Sequence, residues 1–295
     1  MNETAGRRDF LKYAAVTVGA GLLQASARGQ AQDPGAKLRK ALQSNMLPKE
    51  LPDAEKFALA KQCGFEGIEL SGPLADLAAA KELGALAKQA GVPIHSVVNG
   101  WGGPLSDPRP DRVEKGIASM EVSLRCAQAV GADAVLLVPA VVNEEVGYGE
   151  AWERSQKNVR KLLPLAKELQ VVIAVENVWN KFLLSPLEFA KYVDEFDDPW
   201  LRAYIDVGNM ILFGFAQDWL RTVGRRIVKI HLKDFKRQGS QWTNLLDGDV
   251  NWPQVRKALD EIGYRGYLTP ELSGGDEAYL TDLSQRIDKI LAMKA

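Results

Sequence analysis

Short apolar runs alternate with longer segments of helical periodicity from about Leu38 onward, and this alternation constrains the fold more than any other feature of the sequence. Such a pattern indicates repeated βα units and a parallel sheet. The predicted strands are Lys40–Met46, Gly67–Leu70, Ile94–Val98, Ala134–Val138, Val171–Glu176, Ala203–Asp206, Ile227–His231 and Tyr267–Glu271. Eight successive units predict a closed α/β barrel, the (β/α)8 or TIM barrel, with its chemistry on the loops that follow the strands.

The segments between these runs have the features of amphipathic helices. One apolar stripe at the i, i+3, i+4 and i+7 positions of a predicted helix consists of Val159, Leu162, Leu163 and Ala166. Glycines fall where four helices should end, just ahead of the next strand: Gly64, Gly91, Gly131 and Gly263. An open doubly wound sheet is the competing architecture, but no G-x-G-x-x-G motif follows the first strand to support it.

The first residues differ in character from everything that follows. Arg7 and Arg8 precede a mostly apolar stretch over residues 13–23, and small residues occupy positions 25–27. This is the layout of a twin-arginine export signal with a cleavage site, and its apolar stretch is shorter than the ~20 residues that span a bilayer. We therefore predict a cleavable signal peptide over residues 1–31 and a single barrel domain over residues 32–295. The same signal predicts export to the periplasm by the twin-arginine (Tat) machinery, without a stable membrane anchor.

The charges of the chain nearly cancel, with 37 Lys and Arg residues against 38 Asp and Glu residues. Without a broad positive field, nucleic acid is not an expected partner. A small neutral or weakly charged molecule fits this balance better. The sequence leaves the oligomeric state open, and a homo-oligomer remains among the options.

Polar residues close four successive predicted strands, where an apolar run would otherwise continue. These residues are Glu176, Asp206, His231 and Glu271, each about one βα unit from the next. Because the carboxyl ends of barrel strands meet at one mouth, the four side chains should converge. Three carboxylates gathered there would repel one another unless a cation neutralised them. The set predicts one divalent-metal site, with Mn²⁺ the first choice and Mg²⁺, Co²⁺ or Zn²⁺ also compatible with the ligands.

Five motifs in this half of the chain resemble the xylose isomerase-like barrel superfamily of sugar isomerases, keto-sugar epimerases and apurinic endonucleases. The motifs are Glu176-Asn177, Ile205-Asp206-Val207-Gly208-Asn209, Ile230-His231-Leu232-Lys233-Asp234, Gly248-Asp249-Val250-Asn251-Trp252 and Pro270-Glu271. The resemblance covers about Leu38 to the C-terminus and is greatest to the pentulose-phosphate 3-epimerases. It implies that the four strand-end residues bind the metal, and that Glu176 and Glu271 also act as acid and base on opposite faces of a keto sugar.

Six further residues are candidate substrate contacts: Arg237, Lys233, Asn209, His95, Trp101 and Trp179. Arg237 matches a family arginine near the developing oxyanion, and Lys233 and Asp234 are candidates to orient His231 or the substrate. Asn209 stands where the ketohexose epimerases carry a histidine. His95 has a competing interpretation as a packed core residue, and the two tryptophans have one as packing at the barrel edge.

These features predict a metal-dependent sugar isomerase or epimerase that abstracts a proton next to a carbonyl and forms an enediolate. The export signal favours an unphosphorylated keto sugar or keto-glycoside as the substrate. A lyase is the alternative, because the enediolate of a 3-keto-glycoside can instead expel its glycosidic oxygen. A non-catalytic sugar-binding protein and an endonuclease are weaker alternatives, the latter because related nucleases use more histidines than the two in this chain.

Overall fold

Eight parallel strands close into a barrel in the computed structural model of the protein, which describes residues 37–293. Including two strands outside the barrel, the described residues contain the strands β1 (Arg39–Gln43), β2 (Gly67–Leu70), β3 (Ile94–Gly100), β4 (Ala134–Leu137), β5 (Val172–Glu176), β6 (Leu201–Asp206), β7 (Ile227–Leu232), β8 (Asp234–Lys236), β9 (Gln241–Thr243) and β10 (Tyr267–Pro270). The order around the barrel is β1-β10-β7-β6-β5-β4-β3-β2, and β8 and β9 form a separate antiparallel hairpin. The predicted TIM barrel is confirmed.

Helices surround the barrel and bury one face against it. They are α1 (Asp53–Gln62), α2 (Leu77–Gln89), α3 (Pro110–Val130), α4 (Tyr148–Arg160), α5 (Leu163–Leu169), α6 (Pro186–Asp194), α7 (Ala216–Val223), α8 (Trp252–Glu261) and α9 (Glu277–Ala292). One large cluster of buried apolar side chains fills the layer between helices and strands, and a smaller one around Leu136 and Tyr204 lies in the barrel. This two-layer arrangement fixes the strands, whose ends carry the predicted site.

Three local features differ from the sequence-based expectations. The first strand ends at Gln43, and a 3-10 turn follows over Ser44–Met46. The apolar stripe predicted on one helix is buried, but it belongs to α4 and α5, which break at residues 161–162 because Pro164 has no N–H for a continuous helix. The segment after the seventh predicted strand contains the β8–β9 hairpin, which the sequence pattern did not indicate.

The predicted signal segment, residues 1–31, lies outside the described residues. Within residues 37–293, none of the helices is long and apolar enough to cross a membrane.

Helices α2 and α3 approach each other closely at Gly84. A Cβ atom at this position would lie 2.5 Å from the backbone oxygen of Val130, near the end of α3, which is far closer than real Cβ atoms come to backbone. Gly131 then ends α3 in the left-handed region, with a φ of 83°. The absence of a side chain at Gly84 therefore sets the distance between the two helices.

Replacing Gly84 with Ala should destabilise the protein by about 1–3 kcal/mol, because the methyl group overpacks the contact between the two helices. The matched control is Gly149→Ala in α4, where a Cβ would meet no atom within 4 Å. That variant should gain up to about 1 kcal/mol from the better helix propensity of Ala. Thermal and urea unfolding midpoints measure both effects, and equal midpoints for the two variants would contradict the packing argument.

Candidate metal centre

The four strand-end residues predicted as metal ligands meet at the mouth of the barrel. Glu176 ends β5, Asp206 ends β6, His231 lies in β7 and Glu271 follows β10. One ligand atom from each of them can be chosen so that all four lie within 4.8 Å of one another. Asp206 and His231 are register partners on neighbouring strands, which fixes the centre of the cluster. We call these four residues the ligand cluster.

The loop after β6 presents one oxygen of Asp206 to the cluster and holds the other. Asp206 Oδ1 accepts hydrogen bonds from the backbone N–H groups of Gly208 (2.7 Å) and Asn209 (2.9 Å). The Asn177 side chain pairs with the backbone N–H and C=O of Asp206 and so ties the ends of β5 and β6 together. Asp206 Oδ2 is buried and accepts no hydrogen bond from the described residues, and the Lys233 ammonium lies 3.4 Å from it. An anionic oxygen in that state fits a cation.

The pKa values of the three carboxylates also indicate a site for a cation. Burial, together with repulsion from Glu271 and Asp206, raises the pKa of Glu176 to about 7. Burial also raises the pKa of Asp206, although the charge of Lys233 opposes the shift. Glu271 is the exception, because hydrogen bonding to His231 and the charge of Lys233 outweigh burial and lower its pKa to about 2. Three carboxylates and one imidazole at this spacing are a donor set that suits a divalent cation.

Lys233 is the ammonium group next to the ligand cluster. Its Nζ lies 2.7 Å from Glu271 Oε2 and 3.4 Å from Asp206 Oδ2. Gly208 makes room for it, since a Cβ there would lie 2.4 Å from the Lys233 Cβ. Burial disfavours the charged lysine, but the neighbouring carboxylates outweigh burial and raise its pKa. Lys233, predicted as a substrate contact, therefore belongs to the surroundings of the ligand cluster.

Trp179 and Asn209 connect the loops after β5 and β6. The indole of Trp179 donates a hydrogen bond to the backbone oxygen of Asn209 (2.7 Å), and the Asn209 amide donates one to the backbone oxygen of Asn177 (2.8 Å). Trp179 also contacts Trp242 of β9, with ring centroids 5.1 Å apart, and both rings are about half exposed. Trp179, from the loop after β5, and Trp242, from β9, thus form an aromatic wall at the mouth.

Arg237 and Trp101 lie on loops at the same end of the barrel. The Arg237 guanidinium donates hydrogen bonds to the backbone oxygens of Ile211 (2.8 Å) and Gly214 (3.2 Å), so its contacts are with the loop after β6. Trp101 follows β3 and is 61% exposed, the most exposed tryptophan of the described residues. Both side chains are at the mouth without touching the ligand cluster.

His95 lies near the start of β3, inside the barrel and below the mouth. Its ring stacks on Tyr267 from the start of β10, with centroids 4.1 Å apart, and its Nε2 is 3.2 Å from Thr269 Oγ1. Burial and then the charge of Lys229 lower the pKa of His95 to about 3, which keeps the ring neutral. These are the surroundings of a packed core histidine.

Asp234 does not reach His231, contrary to the expectation that it would help to orient the imidazole. Its carboxylate accepts hydrogen bonds from the backbone N–H groups of Leu246 (2.9 Å) and Val250 (3.1 Å) and from the indole of Trp252 (2.8 Å). Asp234 therefore organises the loop that returns from β9 to α8.

Sequence reasoning missed Glu69, a fully buried residue of β2 that contacts His231. Glu69 Oε2 lies 2.6 Å from His231 Nε2, on the side of the ring away from the ligand cluster. Its other oxygen accepts hydrogen bonds from the hydroxyls of Ser96 and Tyr204, both at 2.6 Å. The signal in the sequence is a glutamate that interrupts an apolar run between Ile68 and Leu70, although, unlike the four ligands, it does not close a predicted strand.

Comparison with known proteins agrees with the TIM barrel fold and finds sugar epimerases among the similar proteins. The L-ribulose-5-phosphate 3-epimerase UlaE of Salmonella schwarzengrund (strain CVM19633) is 24% identical over 275 residues, which cover 88% of this chain and 97% of that protein. The apo 3-keto-D-glucoside 4-epimerase YcjR from E. coli superposes with a TM-score of 0.72 at 18% identity, over 86% of this chain and 98% of that one. An L-ribulose 3-epimerase superposes with a TM-score of 0.74 at 16% identity, over 86% and 94%.

A family model described as the xylose isomerase-like TIM barrel matches residues 57–290, which is most of the chain. The chain belongs to this family. The resemblance predicted from the sequence motifs is thereby confirmed, and so is the predicted class of enzyme, an isomerase or epimerase, at the level of the family.

Metal binding should release protons and should weaken as the pH falls through about 7. Because its pKa is raised to about 7, Glu176 is ionised above that pH. Below that pH it carries a proton, which must be released when the cation binds. His231, whose pKa is raised by the charge of Glu69 and by its hydrogen bonds despite burial, releases a proton across the neutral range. Proton release per Mn²⁺ should therefore grow from about one above pH 7 towards two below it.

Calorimetric titration with Mn²⁺, in buffers of different ionisation enthalpy, measures both the affinity and the proton release. An Asp206→Asn variant is the control, since it removes a ligand and should bind weakly at every pH. An affinity that stays constant between pH 6 and pH 8, an interval around the pKa of about 7, would contradict this account of the cluster.

Proposed function

We propose that the protein is a metal-dependent sugar isomerase or epimerase that abstracts a proton next to the carbonyl of an unphosphorylated keto sugar. The observation that carries the proposal is the arrangement of Glu176 and Glu271 around the other two ligands. Strands β6 and β7, which carry Asp206 and His231, are neighbours, and β5 and β10 flank them on either side. The two glutamates therefore stand on opposite sides of the cluster.

This arrangement suits proton removal and proton return on opposite faces of one carbon. A keto sugar bound over Asp206 and His231 would have one carboxylate beside each face. One glutamate removes the proton next to the carbonyl, and the other supplies a proton to the opposite face. A divalent cation held by the four residues, with Mn²⁺ our first choice, would supply the positive charge that stabilises the enediolate. Return of the proton to the opposite face inverts the carbon, which is epimerisation.

The positions of the cationic side chains favour a substrate without a phosphate group. Lys233 is engaged by Asp206 and Glu271, and Arg237 donates to two backbone oxygens. Both side chains are therefore already held by partners within the protein. The relatives divide on this point, since UlaE is named for a pentulose phosphate whereas the structurally similar epimerases are named for unphosphorylated sugars. Export, which we predict from the sequence, also favours an unphosphorylated substrate.

The open aromatic surface at the mouth supports a second candidate, a lyase that acts on 3-keto-glycosides. Trp101, Trp179 and Trp242 are 61%, 47% and 45% exposed. Flat amphipathic rings of this kind can pack against a second sugar or an aglycone beyond the chelated ring. The same carboxylate chemistry would then end in loss of the glycosidic oxygen rather than return of the proton.

A single assay separates the two reactions. Keto sugars and 3-keto-glycosides are incubated with the protein and Mn²⁺ in D₂O, and the products are followed by NMR and mass spectrometry. Deuterium incorporated next to the carbonyl, with the glycosidic bond intact, is the result expected of an isomerase or epimerase. A 2-hydroxyglycal product would show a lyase instead. Neither exchange nor elimination with any of these compounds would overturn the proposal.

Glu176→Gln and Glu271→Gln should each reduce deuterium exchange by about 10²–10⁴-fold, because an amide cannot transfer the proton. Both residues are also predicted ligands, so metal content is measured in each variant and Mn²⁺ is kept saturating. Glu82→Gln on the exposed face of α2 is the matched control and should keep full activity. If both single variants, each loaded with Mn²⁺, kept the wild-type rate of deuterium exchange, the assignment of the two glutamates as acid and base would be wrong.

We also propose that the chain is exported through the twin-arginine pathway, on the basis of its N-terminal sequence. Replacing Arg7 and Arg8 with Lys should keep the protein in the cytoplasm, because this signal is read by a receptor that recognises the arginine pair. Arg28→Lys, outside the pair, is the control and should be exported. Cell fractionation in a bacterium with the Tat machinery measures the outcome, and export of the double Lys variant would contradict the prediction.

A further inference from the structure

We infer that Glu69 selects which nitrogen of His231 faces the ligand cluster, and that this positioning is needed for tight metal binding. Glu69 is not among the four predicted ligands, because it belongs to β2, beneath the mouth, and meets the imidazole from the far side. The inference rests on the metal-binding part of the proposed function, and it does not depend on which sugar is the substrate.

The hydrogen bonds around Glu69 fix its chemical state. Oε1 accepts from the hydroxyls of Ser96 and Tyr204, and Oε2 accepts from the Gln43 amide (2.9 Å) and lies 2.6 Å from His231 Nε2. A carboxylate offers about four acceptor sites and no hydrogen. Because Glu69 already accepts three hydrogen bonds as a buried carboxylate, the short contact to His231 requires the imidazole nitrogen to be the donor. Nε2 therefore carries a hydrogen.

The other nitrogen is thereby reserved for the ligand cluster. His231 Nδ1 lies 2.8 Å from Glu176 Oε1 and 3.2 Å from Glu271 Oε2, where the four ligand atoms converge. With the hydrogen held on Nε2, deprotonation leaves the lone pair on Nδ1. Without Glu69, a neutral imidazole could instead keep its hydrogen on Nδ1 and donate it to Glu176, which would block the cation. A carboxylate behind the ring also makes the ligating nitrogen more basic.

The plane of the imidazole is held by the same group of residues. The Tyr204 ring lies 4.4 Å from the His231 ring, centroid to centroid, while its hydroxyl binds Glu69. Gln43, from the neighbouring strand β1, approaches both Glu69 and His231 Nε2. Rotation of the imidazole would break the contact with Glu69, so the carboxylate sets both the hydrogen position and the orientation of the ring.

The first test compares Mn²⁺ affinity in the wild type, Glu69→Gln and Glu66→Gln, by electron paramagnetic resonance of free Mn²⁺. Glutamine keeps the shape at position 69 and can direct its amide towards the two hydroxyls, which can accept. Its loss of charge should weaken Mn²⁺ binding by about 10–100-fold, the usual effect of removing such a partner. Glu66 lies just before β2, the strand of Glu69, and its carboxylate pairs with Lys37. Glu66→Gln should therefore leave the Mn²⁺ affinity unchanged.

The second test reads the imidazole directly, which the presence of only two histidines makes feasible. In ¹⁵N-histidine-labelled protein, the ring whose signals shift on adding Zn²⁺ is His231. The expected spectrum shows Zn²⁺ bound at Nδ1 and a hydrogen on Nε2. In Glu69→Ala, the metal-free protein at a pH where His231 is neutral should lose the preference for the Nε2 hydrogen. A general loss of folding, monitored by circular dichroism, would affect His95 as well.

Two outcomes would overturn the inference. One is coordination of Zn²⁺ through Nε2 in the wild type, and the other is tight Mn²⁺ binding, equal to that of the wild type, in both Glu69→Gln and Glu69→Ala, the second of which removes the acceptor altogether. Failure of the proposed function has a different signature, because it shows as a wild-type chain that takes up no Mn²⁺ or that binds Mn²⁺ without any turnover. The comparison of variants is therefore separate from the assay of the reaction.

Discussion

The arrangement of residues at the mouth of this barrel depends on a buried cluster of three carboxylates around one imidazole. Burial and mutual repulsion raise the pKa values of Glu176 and Asp206, and the charges of Lys233 and His231 offset part of this effect. Such a cluster costs stability unless a further cation neutralises it. This cost in stability is the physical reason for interpreting the site as a metal centre. The rest of the mouth holds these four side chains in place.

Each ligand is held by contacts that leave one donor atom directed at the cluster. Asp206 gives one oxygen to two backbone N–H groups, and Asn177 ties its strand to β5. His231 gives one nitrogen to Glu69. Ligands that are held before the cation arrives lose little freedom on binding it, so the surrounding polar contacts belong to the function as much as the ligands do.

Site residues could be predicted from the sequence where their signal is local, and they were harder to predict where their role depends on contacts between distant parts of the chain. Glu176 and Asp206 were predictable because each interrupts an apolar run at the end of its own strand, a signal contained in a few neighbouring residues. Glu69 also interrupts an apolar run, but its role depends on contact with His231, which is 162 positions away in the chain. Lys233 was expected to bind substrate, and its proximity to Glu271 depends on how the loop after β7 packs against Gly208.

The barrel, the family and the four converging strand ends can all be predicted from the sequence, because βα periodicity and strand-end chemistry are local signals that repeat along the chain. Tertiary structure alone decided what surrounds those ends. It formed the β8–β9 hairpin that brings Trp242 to Trp179, and it placed His95 below the mouth. These outcomes depend on side chains brought together by closure of the sheet, and no local pattern records which strands will face each other across the barrel.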